Sequence, residues 1–180
     1  MYWQYEHTWF HTHSTMPVME FTNEPLAYFI TWSVYGTFLH GDRRWWKQNG
    51  ATHPPRPLLE KWHRDRLKHP IVLLSESHRE IVKTTIEEHC AHRNWKLWVA
   101  NPRTNHVHVV VTAVGYKGVT VRDQLKANCT RGLRIGTDNV FDDRPVWTTR
   151  GDVALVTSES ELERVVEYAG EAQERMDRGK

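Results

Sequence analysis

Two imidazoles spaced two residues apart are the chain's most informative chemical feature. His106 and His108 lie in Asn105-His106-Val107-His108-Val109-Val110-Val111, a run whose β-branched residues favour a strand. Side chains alternate along a strand, so both imidazoles project from one face, and Val107, Val109 and Val111 from the other. Such a pair suits a divalent metal, and it also occurs as two half-exposed strand histidines; a motif this short leaves both readings open. A metal would need a third protein ligand from elsewhere. Waters and a phosphate oxygen would complete the shell of Mg²⁺ or Mn²⁺.

The final helix supplies candidates. Leu162, Val165, Val166, Ala169 and Met176 form an apolar stripe at helical spacing, with Gln173 near its middle. The Gln173 amide either coordinates the metal or is a core amide bonded to backbone. Tyr168 flanks the stripe, either as a packing residue or as a nucleophile. A phenol with an ordinary pKa near 10 needs activation to attack phosphorus. Gly170, mid-helix, costs about 1 kcal/mol relative to alanine. It would permit a bend, or the close approach of another backbone or a nucleotide.

Several elements must position these groups. Residues 26–39, LAYFITWSVYGTFL, read as a first strand, punctuated by Gly36 and by Gly41-Asp42. A long loop follows, with Gly50, Pro54, Pro55 and Pro57 opposing regular structure. Ser75 or Ser77 caps a helix running to about Asn94, with Glu80 completing a box with Ser77. Its inner face carries Ile81, Thr85, Ile86, His89 and Cys90. Lys96 to Ala100 and His106 to Thr112 form a hairpin about an Asn101-Pro102-Arg103-Thr104 turn. Val121 to Leu133 is a second helix, Val146 to Val156 is extended, and Thr157 or Ser158 caps the last helix, with Glu161 three residues after Ser158. The order predicts an α+β fold with a ferredoxin-like antiparallel sheet, helices on one face and a C-terminal tyrosine-bearing helix. Residues 1–24 read as an irregular extension whose His7, His11 and His13 could bind metal, and 25–180 as the domain that carries the candidate catalytic residues.

Composition narrows the classes. The 180 residues carry 24 Lys+Arg against 22 Asp+Glu, a net +2 that excludes a histone-like polycation. Two cysteines, Cys90 and Cys129, are too few for a disulfide scaffold and suit a reducing compartment. There is no apolar run long enough for a membrane helix and no signal-peptide pattern, so a cytoplasmic location is expected, nucleoid-associated if the partner is DNA. Charge is unevenly spread. Residues 56–69 carry five basic and two acidic side chains, residues 117–134 five and one, and residues 159–180 four and seven. DNA phosphates along the basic segments would explain the first two, as would solvated helix faces. Arg43, Arg44, Trp45, Trp46, Arg64, Lys126 and Arg131 are candidate DNA contacts, with Trp62 beside them, because indoles next to guanidinium groups suit stacking on unpaired bases.

His106-Val107-His108 on a strand, followed by Tyr168 on a later helix, resembles the HUH single-strand DNA transposases with one catalytic tyrosine. Within them it is most similar to the REP-associated tyrosine transposase (IS200-like) group. TWSVYGTFLHGD, NPRTNHVHVVVTA and WTTRGDVALVTSESELERVVEYAGEAQE carry the likeness, which spans about Ala27 to Glu174. The resemblance implies that His106, His108 and a polar residue of the tyrosine helix bind Mg²⁺ or Mn²⁺. It implies that Tyr168 attacks single-stranded DNA next to a hairpin, leaving a 5′-phosphotyrosine link and a free 3′-OH, often in a homodimer. A domesticated relative that binds hairpins without cutting is the alternative. Two departures stand out. Relatives carry the helix ligand one turn past the tyrosine, where this chain has Ala172; Gln173 comes next, about 140° round an α-helix from Tyr168 rather than about 40°. Either a bend at Gly170 realigns Gln173, or the third ligand is Glu171, a water or another residue. Many relatives also read Tyr-x-x-x-Asn-Pro where this chain reads Tyr-Ala-Gly-Glu-Ala-Gln.

Two further classes fit less well. A phosphoesterase with paired His-x-Thr/Ser motifs would find one at His11-Thr12-His13-Ser14-Thr15, but the central pair offers no hydroxyl. A cupin-like metal protein would need many strands in place of these helical segments.

Overall fold

The computed structural model describes residues 24–44, 46–48, 51–137 and 139–172. The expected N-terminal extension with its three histidines therefore lies outside the described residues, apart from Glu24, as do Trp45 and Gln173.

β1 (Ala27–Ser33) buries Tyr28, Ile30 and Trp32 on one face and turns Phe29 and Thr31 to the other. The strand is shorter than its β-prone composition suggests. Val34 makes one isolated bridge to Trp147, and Gly36 then turns the chain with φ 75°. A side chain at Gly36 would also collide with Ile71 and Leu67. The expected long loop holds a small hairpin, β2 (Trp46–Gln48) paired with β3 (Ala51–His53), and leads into α1 (Pro57–Arg64). Pro57 opens α1, where a missing N–H costs nothing.

α2 (Glu76–His92) is capped by Ser75, whose hydroxyl accepts from the His78 amide; His78 Nδ1 accepts from Ser75 N in return. The box is thus Ser75–His78 rather than Ser77–Glu80. The buried face is Val82, Ile86 and Cys90, with Ile81, Thr85 and His89 at its edge. β4 (Lys96–Pro102) runs two residues past its expected end, so Asn101 belongs to the strand rather than the turn. β5 (His106–Thr112) has the expected bounds. α3 (Gly118–Gly136), β6 (Asp152–Val156) and α4 (Glu159–Glu167) complete the order, with Ser158 accepting from the Glu161 amide at the start of α4.

The main sheet is antiparallel in the order β4-β5-β1-β6, the split β-α-β arrangement of a ferredoxin-like fold. One face packs Ile30, Trp32, Val107, Val109 and Val111 against Val82, Ile86 and Cys90 of α2 and Val121, Leu125, Cys129 and Leu133 of α3. Each fully buried aliphatic side chain contributes about 1.5–3 kcal/mol, so this layer dominates the fold's stability. Burial pushes the Cys90 thiol up to about 12 and raises Cys129 as well, so both are inert core residues. The other face carries a smaller cluster of Ala27, Val110, Val156, Leu162 and Ala169, where the last helix lies. No described helix is long and apolar enough to cross a membrane.

Candidate active site on the sheet's second face

The strand alternation that sends three valines into the core delivers both imidazoles to the second face. His106 Nε2 and His108 Nε2 converge to 3.0 Å. Each ring is held at its other nitrogen: Asn105 Oδ1 lies 2.6 Å from His106 Nδ1, and Thr31 Oγ1 lies 2.9 Å from His108 Nδ1. An amide oxygen only accepts, so His106 Nδ1 carries the proton and its Nε2 presents a lone pair. His108 is 5% exposed, stacked on Phe29 with ring centroids 5.5 Å apart. A proton or a metal cation between the two Nε2 atoms is what relieves their repulsion.

Tyr168 closes the site. Its ring centroid lies 5.8 Å from that of His108 and 6.0 Å from that of Phe29, edge-on to both. The phenol is partly open, at 38% exposed. The chain reaches this place through an unexpected turn: after α4 the helix widens into a π-helical turn over Tyr168–Ala172. Gly170 therefore sits in a local widening. A Cβ there would meet nothing among the described residues. Asn101 of β4 faces the turn, its Nδ2 donating to Ala169 O at 2.6 Å and Gly170 O at 3.1 Å.

The donor set fits a divalent cation in part: two imidazole nitrogens suit a transition-metal ion better than Mg²⁺, and their 3.0 Å separation is also that of an N–H···N hydrogen bond. Nδ1 bonds of the kind made by Asn105 and Thr31 are those that orient metal-binding histidines. Among the described residues, His, Cys, Asp and Glu gather in no group of three that could hold a metal. A third protein ligand is therefore of another type or comes from a side chain outside those described, as the expected Gln173 is.

The expected DNA contacts separate into two sets. Arg43, Arg64 and Arg131 are exposed, with Arg64 paired to Glu60 one turn back in α1. Three others have different work. Trp46 is 3% exposed, stacked between His40 and His53 with its indole N–H on Pro54 O, so it is the core of the small hairpin and cannot stack on a base. Arg44 forms a two-pronged bond to the buried Asp42 and donates to Thr37 O. Burial alone would raise the Asp42 carboxyl, but the Arg44 hydrogen bonds outweigh it and hold Asp42 below the usual range. Lys126 is 9% exposed, its ammonium donating to Thr148 O and Arg150 O. It ties α3 to the segment before β6 and offers nothing to a phosphate.

Lys126 also sets a pH dependence. Burial, then the charge of Arg122, pushes its ammonium from 10.5 down to about 8, with Asp123 opposing. The unfolded chain thus binds more protons than the folded one between about 8 and 10.5. Stability therefore rises with pH across that window. The unfolding free energy of wild type relative to Lys126→Met should grow between those limits in denaturant titrations; a flat difference would contradict a depressed lysine.

Sequence reading misses four of the site's residues: Thr31, Asn105, Phe29 and Asn101. Asn105 adjoins the motif, and Thr31 follows from the β1–β5 register, which pairs it with His108. Asn101 is hidden by its Pro102 neighbour, which reads as a turn.

No family model matches the chain, and no curated protein matches it. Among solved structures, a chain from Deinococcus radiodurans R1 described as a putative transposase superimposes with a TM-score of 0.51 at 12% identity, covering 85% of this chain and 95% of that one. That likeness is one of fold.

Proposed function

We propose that the chain is a metal-dependent single-strand DNA nicking and rejoining enzyme of the transposase kind, acting beside DNA hairpins with Tyr168 as nucleophile. The observation that carries this reading is the Tyr168 ring edge-on to His108, 5.8 Å between centroids, across 60 residues of chain. The transposase fold likeness adds weight from an independent direction.

His106 and His108 would hold Mg²⁺ or Mn²⁺, with Gln173 as the proposed third ligand, and the ion supplies Lewis-acid polarisation of the scissile phosphate. Asn105 and Thr31 keep both Nε2 atoms turned inward, and Phe29 packs against both His108 and Tyr168. Tyr168 Oη gives its proton to solvent and bonds to phosphorus. The P–O3′ bond breaks, the 3′-oxygen takes up a proton, and the 5′-phosphate stays on the tyrosine. Attack by a 3′-OH on that diester reverses the step, so rejoining needs no external energy.

A single-stranded hairpin oligonucleotide labelled at its 5′ end tests this. With Mn²⁺ it should yield a shortened labelled strand ending in 3′-OH and an unlabelled fragment bound to protein. Cutting that persists in chelator would overturn the metal requirement. Binding without any cutting would assign a silent hairpin-binding protein.

The stacking surface moves from Trp46 to Trp62. Trp62 is 49% exposed on α1, with the Arg66 guanidinium 3.9 Å from its ring, beside Lys61 and Arg64. Trp62→Ala should weaken binding of unpaired strands by about 1–3 kcal/mol, the worth of one stacked base. Binding of wild type should fall steeply with salt. Salt-insensitive binding, or an unchanged Kd for the variant, would remove α1 from the DNA path.

A further inference from the structure

We infer that Asn101 is a positioning residue that bolts the tyrosine turn to the sheet beside the histidine pair. The inference rests on the proposed role of Tyr168 and names what holds that residue in place. Asn101 is the register partner of His108 on β4, so their side chains leave the same face of the sheet. Its amide nitrogen has two hydrogens and meets two carbonyls, those of Ala169 and Gly170, the two residues after Tyr168. A short closed path results. It runs from His108 across one rung of the ladder to Asn101, through the amide to the turn, and back one residue to Tyr168.

Among the described residues the turn's other contacts are packing contacts: the Tyr168 ring lies edge-on to His108 and Phe29, and Ala169 is fully buried against Val110 and the cluster around it. A small apolar contact resists lifting but tolerates sliding and rotation, because dispersion contacts have little directionality. Hydrogen bonds to two successive carbonyls fix both. The widened turn makes this control matter, since its backbone departs from the α-helical register at the residue that carries the phenol. A 1 Å misplacement of a reacting group can cost about 10²-fold in rate. Asn101 therefore acts on Tyr168 through the backbone and touches none of the reacting atoms.

Asn101→Asp keeps the side-chain shape, removes both donors and turns carboxylate oxygens toward the carbonyls; Asn101→Ala removes the group without adding charge. Both variants are to be read by amide hydrogen exchange on the full chain and by single-turnover adduct formation with a hairpin oligonucleotide. Exchange at residues 168–172 should accelerate at least about tenfold, with α2 and β5 unchanged. The adduct rate should fall by about 10- to 100-fold, while Kd for the hairpin changes little. Unchanged exchange in the turn, or an adduct rate equal to wild type, would overturn the inference. Protection lost equally in α2 and β5 in both variants would also overturn it, making Asn101 a general structural group. If exchange loosens only in the turn while wild type itself forms no adduct, Asn101 positions the turn as inferred and the tyrosine chemistry is what fails.

Discussion

Tyr168→Phe should abolish covalent attachment to DNA, by at least about 10³-fold, the scale on which a lost nucleophile is felt. Hairpin affinity should change by less than about tenfold, the worth of one hydrogen bond. The separation follows from what the phenylalanine keeps. Its ring still packs edge-on against His108 and Phe29, so the turn and the histidine pair stay in place. Only the oxygen that bonds to phosphorus is gone. Gel-resolved adduct yield and equilibrium binding on the same oligonucleotide check both halves. A variant that still forms adduct would make Tyr168 a packing residue, the reading a lone amphipathic tyrosine otherwise invites.

The histidine pair carries the second large effect. His106→Ala should lower adduct formation by at least about 10²-fold, comparable to removing one preorganised electrostatic group from an active site. It should also weaken Mn²⁺ binding measured by titration calorimetry. His106 is the cleaner target because His108 is also a packing residue, buried, bonded to Thr31 and stacked on Phe29. His108→Ala should therefore lose activity and stability together. A hole of that size in a packed layer costs on the order of 2–5 kcal/mol. His106→Ala with unchanged Mn²⁺ affinity would return the pair to two hydrogen-bonded strand histidines.

How much of the molecule is legible in its sequence depends on the range of the interaction. β5 is read with its observed bounds because the alternation His-Val-His-Val is a local signal, and one buried face enforces it. Ser158 at the start of α4 is legible for the same reason, since capping is settled within three residues. Residues 26–39 read as one strand because their composition is β-prone throughout. Where the strand stops is set by the partners of its neighbours, and past Ser33 the ladder thins to the Val34–Trp147 bridge and the bond from Tyr35 N to Val146 O. Trp46 looks like a base-stacking residue beside Arg43 and Arg44, and only the approach of His40 and His53 shows that it is enclosed. Lys126 counts as one more positive charge on a basic helix, until its carbonyl partners 22 and 24 residues away come into view. The π turn leaves no sequence mark beyond Gly170.

Peptide mapping by mass spectrometry of a trapped Mn²⁺-dependent protein–oligonucleotide adduct tests the central claim most directly. One modified peptide is expected, with the 5′-phosphate of the cleaved strand on the Tyr168 oxygen, and none in chelator. Attachment at any other side chain, or an adduct indifferent to metal, would contradict a metal-assisted Tyr168 nucleophile.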